Sequence, residues 1–304
     1  MTAEPRPAAE AEMRRSAAPL RPPRPPRPFL GRRRLRSGFW LSVHGALIVA
    51  FGFPFAWVLV TSLNTPDQVL TFPPSFVPHW QWQNYVEAWQ AAPWVQYFLN
   101  TLFIASTTVV LVLVTSSLAG FAFGALRFPG RNALFLLVLS ALMIPPTVLL
   151  VPDYIVLKDI SWLDTYWAQI VPWGASVFGI FLVRQFVSTL PGELADAAEI
   201  DGAGSLRYLW SVVVPLIRPA LVTIALYVGI GSWDSFVWPF IMTSSPSVQP
   251  VEVGLATFYG TNGTDWTQLS AAAVFTTLPV LIFFLAAQRQ FLEGAFSTAA
   301  GLKG

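Results

Sequence analysis

The 304 residues are 54% apolar and only 11% charged, with a mean hydropathy of +0.56 and a formal net charge of +2. A soluble globular chain carries about 25% charged residues, so this composition excludes a surface that mostly faces water and excludes disorder as the dominant state. There is no cysteine, His44 and His79 stand far apart, and Lys158 and Lys303 lie outside any G-x-x-x-x-G-K-[ST] loop, which excludes disulfides, thiolate chemistry, Cys- or His-rich metal sites and ATP hydrolysis by this chain. Composition assigns an integral membrane protein, and the long uncharged segments below make it all-α rather than a β-barrel of short alternating strands.

Residues 1–37 differ from everything after them. Pro19 to Pro28 reads P-L-R-P-P-R-P-P-R-P, a polyproline II pattern that builds no core, so a disordered basic tail near anionic lipid is expected. The arginines at 32–34 precede a 24-residue apolar run without an A-x-A pattern, so the first helix is expected to be retained rather than cleaved.

A span needs about 20 helical residues, and six segments qualify. They are Phe39 to Ser62, about Phe98 to Leu126, Asn132 to Pro152, Thr165 to Val183, about Pro219 to Met242, and about Ser270 to Gln288. Pro145-Pro146 and Pro172 should kink the third and fourth. Gly120 and Gly124 form a small-x-x-x-small pair that permits close helix packing. Positive residues stay cytoplasmic. Ten arginines precede the first span, Arg127 and Arg131 follow the second, Arg184, Arg207 and Arg218 follow the fourth, and Arg289 and Lys303 follow the sixth. The alternate connections hold Lys158 alone. Both termini are therefore expected in the cytoplasm.

The connection from Arg184 to Arg218 is far longer than a turn needs. Pro191 suits a first helical turn, and Glu193 places negative charge at that helix's positive end. Leu194, Ala197, Ala198 and Asp201 recur at i, i+3, i+4 and i+7 and predict one face. Gly202 suits a reversal with positive φ. A second helix is predicted over about Ser205 to Val214, ending before Pro215. The pair should lie flat beneath the bilayer.

Here the sequence resembles a known family. Asp196-Ala197-Ala198, three residues, Gly202, nine residues, then Val212-x-Val214-Pro215 resembles the E-A-A, G, I-x-L-P loop of binding-protein-dependent ABC importer permeases. Asp replaces Glu at 196, and valines replace the Ile and Leu. Tyr97 to Thr101, Phe121 to Arg131, Phe186 to Ala203 and Trp233-Asp234-Ser235-Phe236-Val237-Trp238-Pro239 resemble the carbohydrate-uptake branch, in particular the second membrane subunit of maltose-type transporters. The resemblance implies a type I importer permease fold over residues 38–304, with a core domain at about 97–290 and a coupling loop at 184–218. It implies sugar-like cargo, a second non-identical permease, two ABC ATPase subunits and an extracytoplasmic solute-binding protein. It implies no nucleic acid, no cofactor and no catalytic residue. Glu193, Asp196, Ala197, Ala198, Asp201, Gly202 and Pro215 are the implied ATPase-coupling residues.

Asp234 is the one acid inside a predicted span. With Trp233 and Ser235 it is either part of the translocation path, since an intramembrane ionisable group is by default functional, or a structural residue bonded to a neighbouring helix. The same machine could import glycerol-phosphate or another polyol. An ion-coupled secondary transporter would need several midplane charges and an inverted repeat, and Asp234 stands alone.

Overall fold

The computed structural model describes residues 30–73, 76–260 and 263–301. The chain divides into a short unit, residues 1–54, and a large one, residues 55–304. All packing described below belongs to the large unit. Of the expected tail, residues 1–29 lie outside the described residues.

Helix α1 runs Leu30–Ser62, so it begins inside the stretch expected to be disordered. The physical reason is local: past Pro28 the chain has no proline until Pro54, and arginine and leucine are strong helix formers. Two short helices follow, α2 at Pro66–Val69 and α3 at Gln83–Gln90. Helix α4, Trp94–Gly124, is the central element. It is followed by α5, Arg131–Ser140, a 3-10 turn at Ala141–Met143, and α6, Pro146–Asp159. The third predicted span is thus two pieces bent by 97°, because Pro145 and Pro146 remove successive N–H donors.

Helix α7, Tyr166–Ile170, passes through a 3-10 turn at Val171–Trp173, containing Pro172, and reaches α8, Val177–Ser188. Next come α9, Glu193–Ile200, and α10, Ser205–Tyr208, which continues through a π-turn at Leu209–Val213 into α11, Val214–Leu216. The expected stop before Pro215 is not made. The wide π-turn absorbs the clash that a proline ring makes with the carbonyl four residues back, and the bend falls at Ile217 instead. There α12, Arg218–Trp233, sets off at 80° to the 205–216 segment. The fifth span therefore ends at Trp233, and α13, Val237–Met242, is separate. Helix α14 at Val251–Gly254 leads to a two-stranded antiparallel hairpin, Tyr259–Gly260 with Gly263–Thr264, and α15 covers Trp266–Gly301.

Three apolar clusters organise the large unit. The first joins α4, α8 and α12 through Val112, Val183 and Ile224, and reaches the 205–216 segment at Leu209 and Val213. The second sets Trp94 and Tyr97 against Val251, Phe258 and Ala271. The third joins Leu157, Ala168, Trp238 and Met242. Small side chains bring backbones together: Gly120 and Gly124 of α4 lie against Val183 and Val187 of α8, the close approach that the glycine spacing predicted. Arg184 fastens the same end. Its Nε donates to the Phe123 carbonyl at 3.3 Å, and its guanidinium lies 4.0 Å from the Phe135 ring centroid, a favourable cation–π contact.

Candidate functional site

Helix α9 ends in a Schellman motif. Ala203 N–H donates to Ala198 O at 2.8 Å and Gly202 N–H to Glu199 O at 3.0 Å, which satisfies carbonyls the helix would leave bare. Gly202 takes φ +73°, as the sequence predicted. Glu193 and Asp196 occupy the first turn, where a carboxylate opposes the helix dipole favourably.

The expected face of α9 is divided. Leu194 and Ala198 are half-buried against the first cluster, so Ala198 holds α9 onto the body of the protein. Glu193, Asp196, Ala197 and Asp201 are exposed. The i, i+3, i+4, i+7 spacing mixed an inner face, Leu194 and Ala198, with an outer one, Ala197 and Asp201. Two exposed apolar residues were missed: Ile200 is 86% exposed and Leu206, across the Gly202 turn, is 62% exposed. An isoleucine between Glu199 and Asp201 was the available signal. Pro215 is exposed on α11.

Trp233, Asp234 and Ser235 stand in three different surroundings. Asp234 is the C-cap of α12 rather than a residue inside it, with its N–H donating to Ile230 O at 2.9 Å. Short polar side chains at 234 and 235 compete for backbone bonds and favour the break. Trp233 packs on Phe98 with ring centroids 6.3 Å apart, and its buried indole nitrogen has no partner. Ser235 lines a cavity shared with Thr108 and Trp173. Asp234 is exposed and faces Glu252 electrostatically. Burial, with the Asp234 charge second, pushes the Glu252 carboxyl up to about 6.

A polar brace, unseen in the sequence, holds residues 243–250. Asn100 donates to Gln249 O at 2.8 Å, Gln169 to Val248 O at 2.8 Å, Tyr166 to Ser247 O at 3.1 Å, and Val251 N–H donates to Thr101 Oγ1 at 2.8 Å. Asp164, at φ +60°, accepts from the Ser244 and Ser245 N–H groups at 2.8 Å each, and from the Ser245 hydroxyl. Desolvation opposes its ionisation, but these donors outweigh it and hold the carboxyl below its ordinary value. Among the described residues, no three His, Asp or Glu side chains group to hold a metal.

Residues 113–292 match the family model described as "Binding-protein-dependent transport system inner membrane component". That stretch contains α9, the Gly202 turn and the whole of α12. The chain belongs to this family. As an inner-membrane component of an ABC transport system, it is a multi-pass membrane protein. The sn-glycerol-3-phosphate transport system permease protein UgpE of Yersinia pestis bv. Antiqua (strain Antiqua) is 34% identical over 271 residues, covering 85% of this chain and 96% of that protein. The arabinooligosaccharides transport system permease protein AraQ of Halalkalibacterium halodurans is 33% identical over 274 residues, covering 87% and 96%.

The importer fold is also seen in a chain from the crystal structure of a bacterial ABC transporter involved in import of the acidic polysaccharide alginate. Its TM-score is 0.74 at 21% identity, over 89% of this chain and 100% of that one. A second alginate transporter structure, in complex with an alginate pentasaccharide-bound periplasmic protein, gives a TM-score of 0.62 at 15% identity over 85% and 94%. The described permease fold is mostly helical and holds three helices long and apolar enough to cross a membrane, or five if each bent pair counts as one.

Proposed function

We propose that this permease is one of two non-identical membrane subunits of an ATP-driven importer of sugars or oligosaccharides, working with two ABC ATPase subunits and an extracytoplasmic solute-binding protein. Six crossings with both termini in the cytoplasm account for the distribution of Lys and Arg. ATP chemistry belongs to the ATPases, and this chain carries no catalytic step.

The observation that carries the reading is the outer face of α9. Asp196, Ala197 and Ile200 turn away from the body of the protein while Leu194 and Ala198 fasten the helix to it. An exposed acid beside exposed apolar side chains suits a protein cleft better than solvent. The Gly202 turn joins the two arms of the loop. Closure of the ATPases draws on α9, and the first cluster passes that movement to α4, α8 and α12.

A relative named for arabinooligosaccharides supports a saccharide cargo. The 34% identity to a glycerol-3-phosphate permease supports a second reading, a phosphorylated polyol. The test is purification of the tagged chain from its own cells in mild detergent. A second permease and an ATPase should co-purify, and proteoliposomes of that complex should import saccharide only with ATP and the binding protein. Uptake by this chain alone, driven by an ion gradient, overturns the reading.

A further inference from the structure

We propose that the cavity walled by Arg127 and Arg131, in the turn between α4 and α5, holds the phosphate of an anionic phospholipid of the cytoplasmic leaflet. The proposal goes beyond the importer reading and rests on it only for which leaflet this end of α4 meets.

The turn builds the cavity. Helix α4 ends at Gly124 and α5 begins at Arg131, and the chain between them reverses through Gly130 at φ +76°. The Arg131 N–H donates to Phe128 O at 3.4 Å and the Leu134 N–H to Gly130 O at 2.9 Å, which closes the turn. An open cavity of about 340 Å³ results, lined by Arg127, Phe128, Gly130, Arg131, Asn132 and Ala133. That volume falls within the roughly 300–1,000 Å³ of small-molecule sites. Its aromatic wall is held in place: the Phe128 ring centroid lies 6.2 Å from that of Phe123, which lies 5.4 Å from that of Phe135.

Charge decides the class of ligand. Two of the six lining residues are arginines and none is acidic, and the sequence holds no Asp or Glu between Glu87 and Asp153. Arg131 Nη1 donates to the Leu126 carbonyl at 3.0 Å, so its side chain is tied across the turn with most of its donors unused. Among the described residues, no hydrogen bond or ion pair engages the Arg127 guanidinium. Two like charges at one cavity repel, and an anion between them removes that cost. Guanidinium forks match the oxygens of a phosphate in pairs. The positive end of α5, at Asn132 and Ala133, acts in the same sense.

Position decides the source of the phosphate. Helix α4 is a candidate span, and Arg127 lies just past its last residue. The bent pair that forms the next candidate span begins at Arg131. The cavity therefore sits where two spans leave the hydrocarbon, at the level of the headgroups. Beside it on α5, Leu134, Leu136 and Leu137 are 49%, 67% and 67% exposed, an apolar surface that acyl chains can cover. A free phosphate would use the arginines and leave the leucines bare; a lipid uses both. Basic pockets at the cytoplasmic side of membrane helices recognise anionic headgroups in this way.

The experiment uses the complete transporter, delipidated in mild detergent and titrated with dioleoyl phosphatidylglycerol, dioleoyl phosphatidylcholine or inorganic phosphate, with retained lipid counted by native mass spectrometry. Phosphatidylglycerol should bind more tightly than phosphatidylcholine, and salt should weaken it. Arg127→Gln should lower its affinity about 5-fold, the worth of one charge near the surface, with an unchanged melting midpoint. Arg127→Lys should restore most of the loss. Arg218→Gln removes the same charge at an exposed position outside the cavity and should change nothing. Unchanged affinity in Arg127→Gln and in the double variant Arg127→Gln/Arg131→Gln overturns the proposal, as does an equal loss in Arg218→Gln. Displacement of the lipid by an equal concentration of inorganic phosphate makes the ligand a free anion and overturns the lipid assignment. Release of the ATPase by Arg127→Gln with lipid binding intact gives the arginines to a protein partner and overturns it too. Failure of the unmodified chain to co-purify with any ATPase overturns the importer reading instead, and the same lipid titration on the chain alone still decides the site.

Discussion

A β-carbon at Gly120 would stand 2.6 Å from the Cβ of Val183, closer than two such atoms come in folded proteins. Helices α4 and α8 therefore meet backbone to side chain at this point, with Gly124 repeating the contact on Val187 one turn later. Gly120→Leu should lower stability by about 1–3 kcal/mol through overpacking, read as an earlier loss of the monodisperse peak on heating in detergent. Gly45→Leu is the control, because nothing lies within 4 Å of a Cβ there. Equal loss in both variants sinks the assignment.

The glycine pair shows what a sequence carries well. Local spacing and backbone rules act within a few residues, so the positive φ of Gly202, the bend at Pro145-Pro146 and the long apolar helix α4 were legible. Orientation across an element was less so. Ala198 was placed with Ala197 because helical spacing groups neighbours without saying which side meets the protein. Asp234 was placed inside a helix because hydropathy does not register a C-cap. The brace around residues 243–250 joins Asp164 to Ser245, and Asn100 to Gln249, across distances in sequence that no local pattern spans. The motif at 196–215 was the exception, readable because family resemblance stores long-range information.

Asp164 makes that brace sensitive to acid. Its carboxyl is held below the ordinary value by the Ser245 and Ser244 donors. Stabilisation of this kind is complete above the unfolded value of about 4 and is lost as pH falls through the lower, folded value. Asp164→Asn keeps a residue type that tolerates φ +60° but removes the charge, at a cost of about 1 kcal/mol. Limited proteolysis between Thr243 and Pro250 should be faster in the variant at pH 7. Identical cleavage rates would assign no role to the carboxylate.

Glu252 responds in the opposite sense. Its ordinary value of 4.5 is raised to about 6, by burial first and Asp234 second. The folded state thus prefers the protonated acid, and a penalty grows as pH rises from 4.5 to 6 and stays complete above that. Glu252→Gln should raise thermal stability at pH 7 and flatten its pH dependence across that window. Asp234→Asn should lower the midpoint without restoring 4.5, because burial remains. A Glu252→Gln variant with an unchanged stability profile between pH 4.5 and 7 would contradict this account.

The proposed coupling loop carries the most direct prediction. Asp196 is exposed on the outer face of α9, near Ala197 and Ile200, and Gly202 closes the helix at φ +73°. On docking, an exposed acid at a protein interface meets a basic partner, and truncating one side of such a buried pair costs about 2–5 kcal/mol. Asp196→Lys should release the ATPase, or leave it bound and unresponsive to the binding protein, while the chain still inserts in the membrane. Ile200→Asp should act in the same direction by removing an apolar contact, although it leaves α9 itself intact. Gly202→Val acts by another route, since a β-branched residue resists positive φ and the Schellman bonds from Ala203 and Gly202 would be lost. Asp196→Glu keeps the charge and should be tolerated. Co-purification of the ATPase with each variant, followed by ATP-driven uptake, separates these outcomes. Normal association and uptake in both Asp196→Lys and Gly202→Val would mean that force reaches the membrane helices through some other part of the chain.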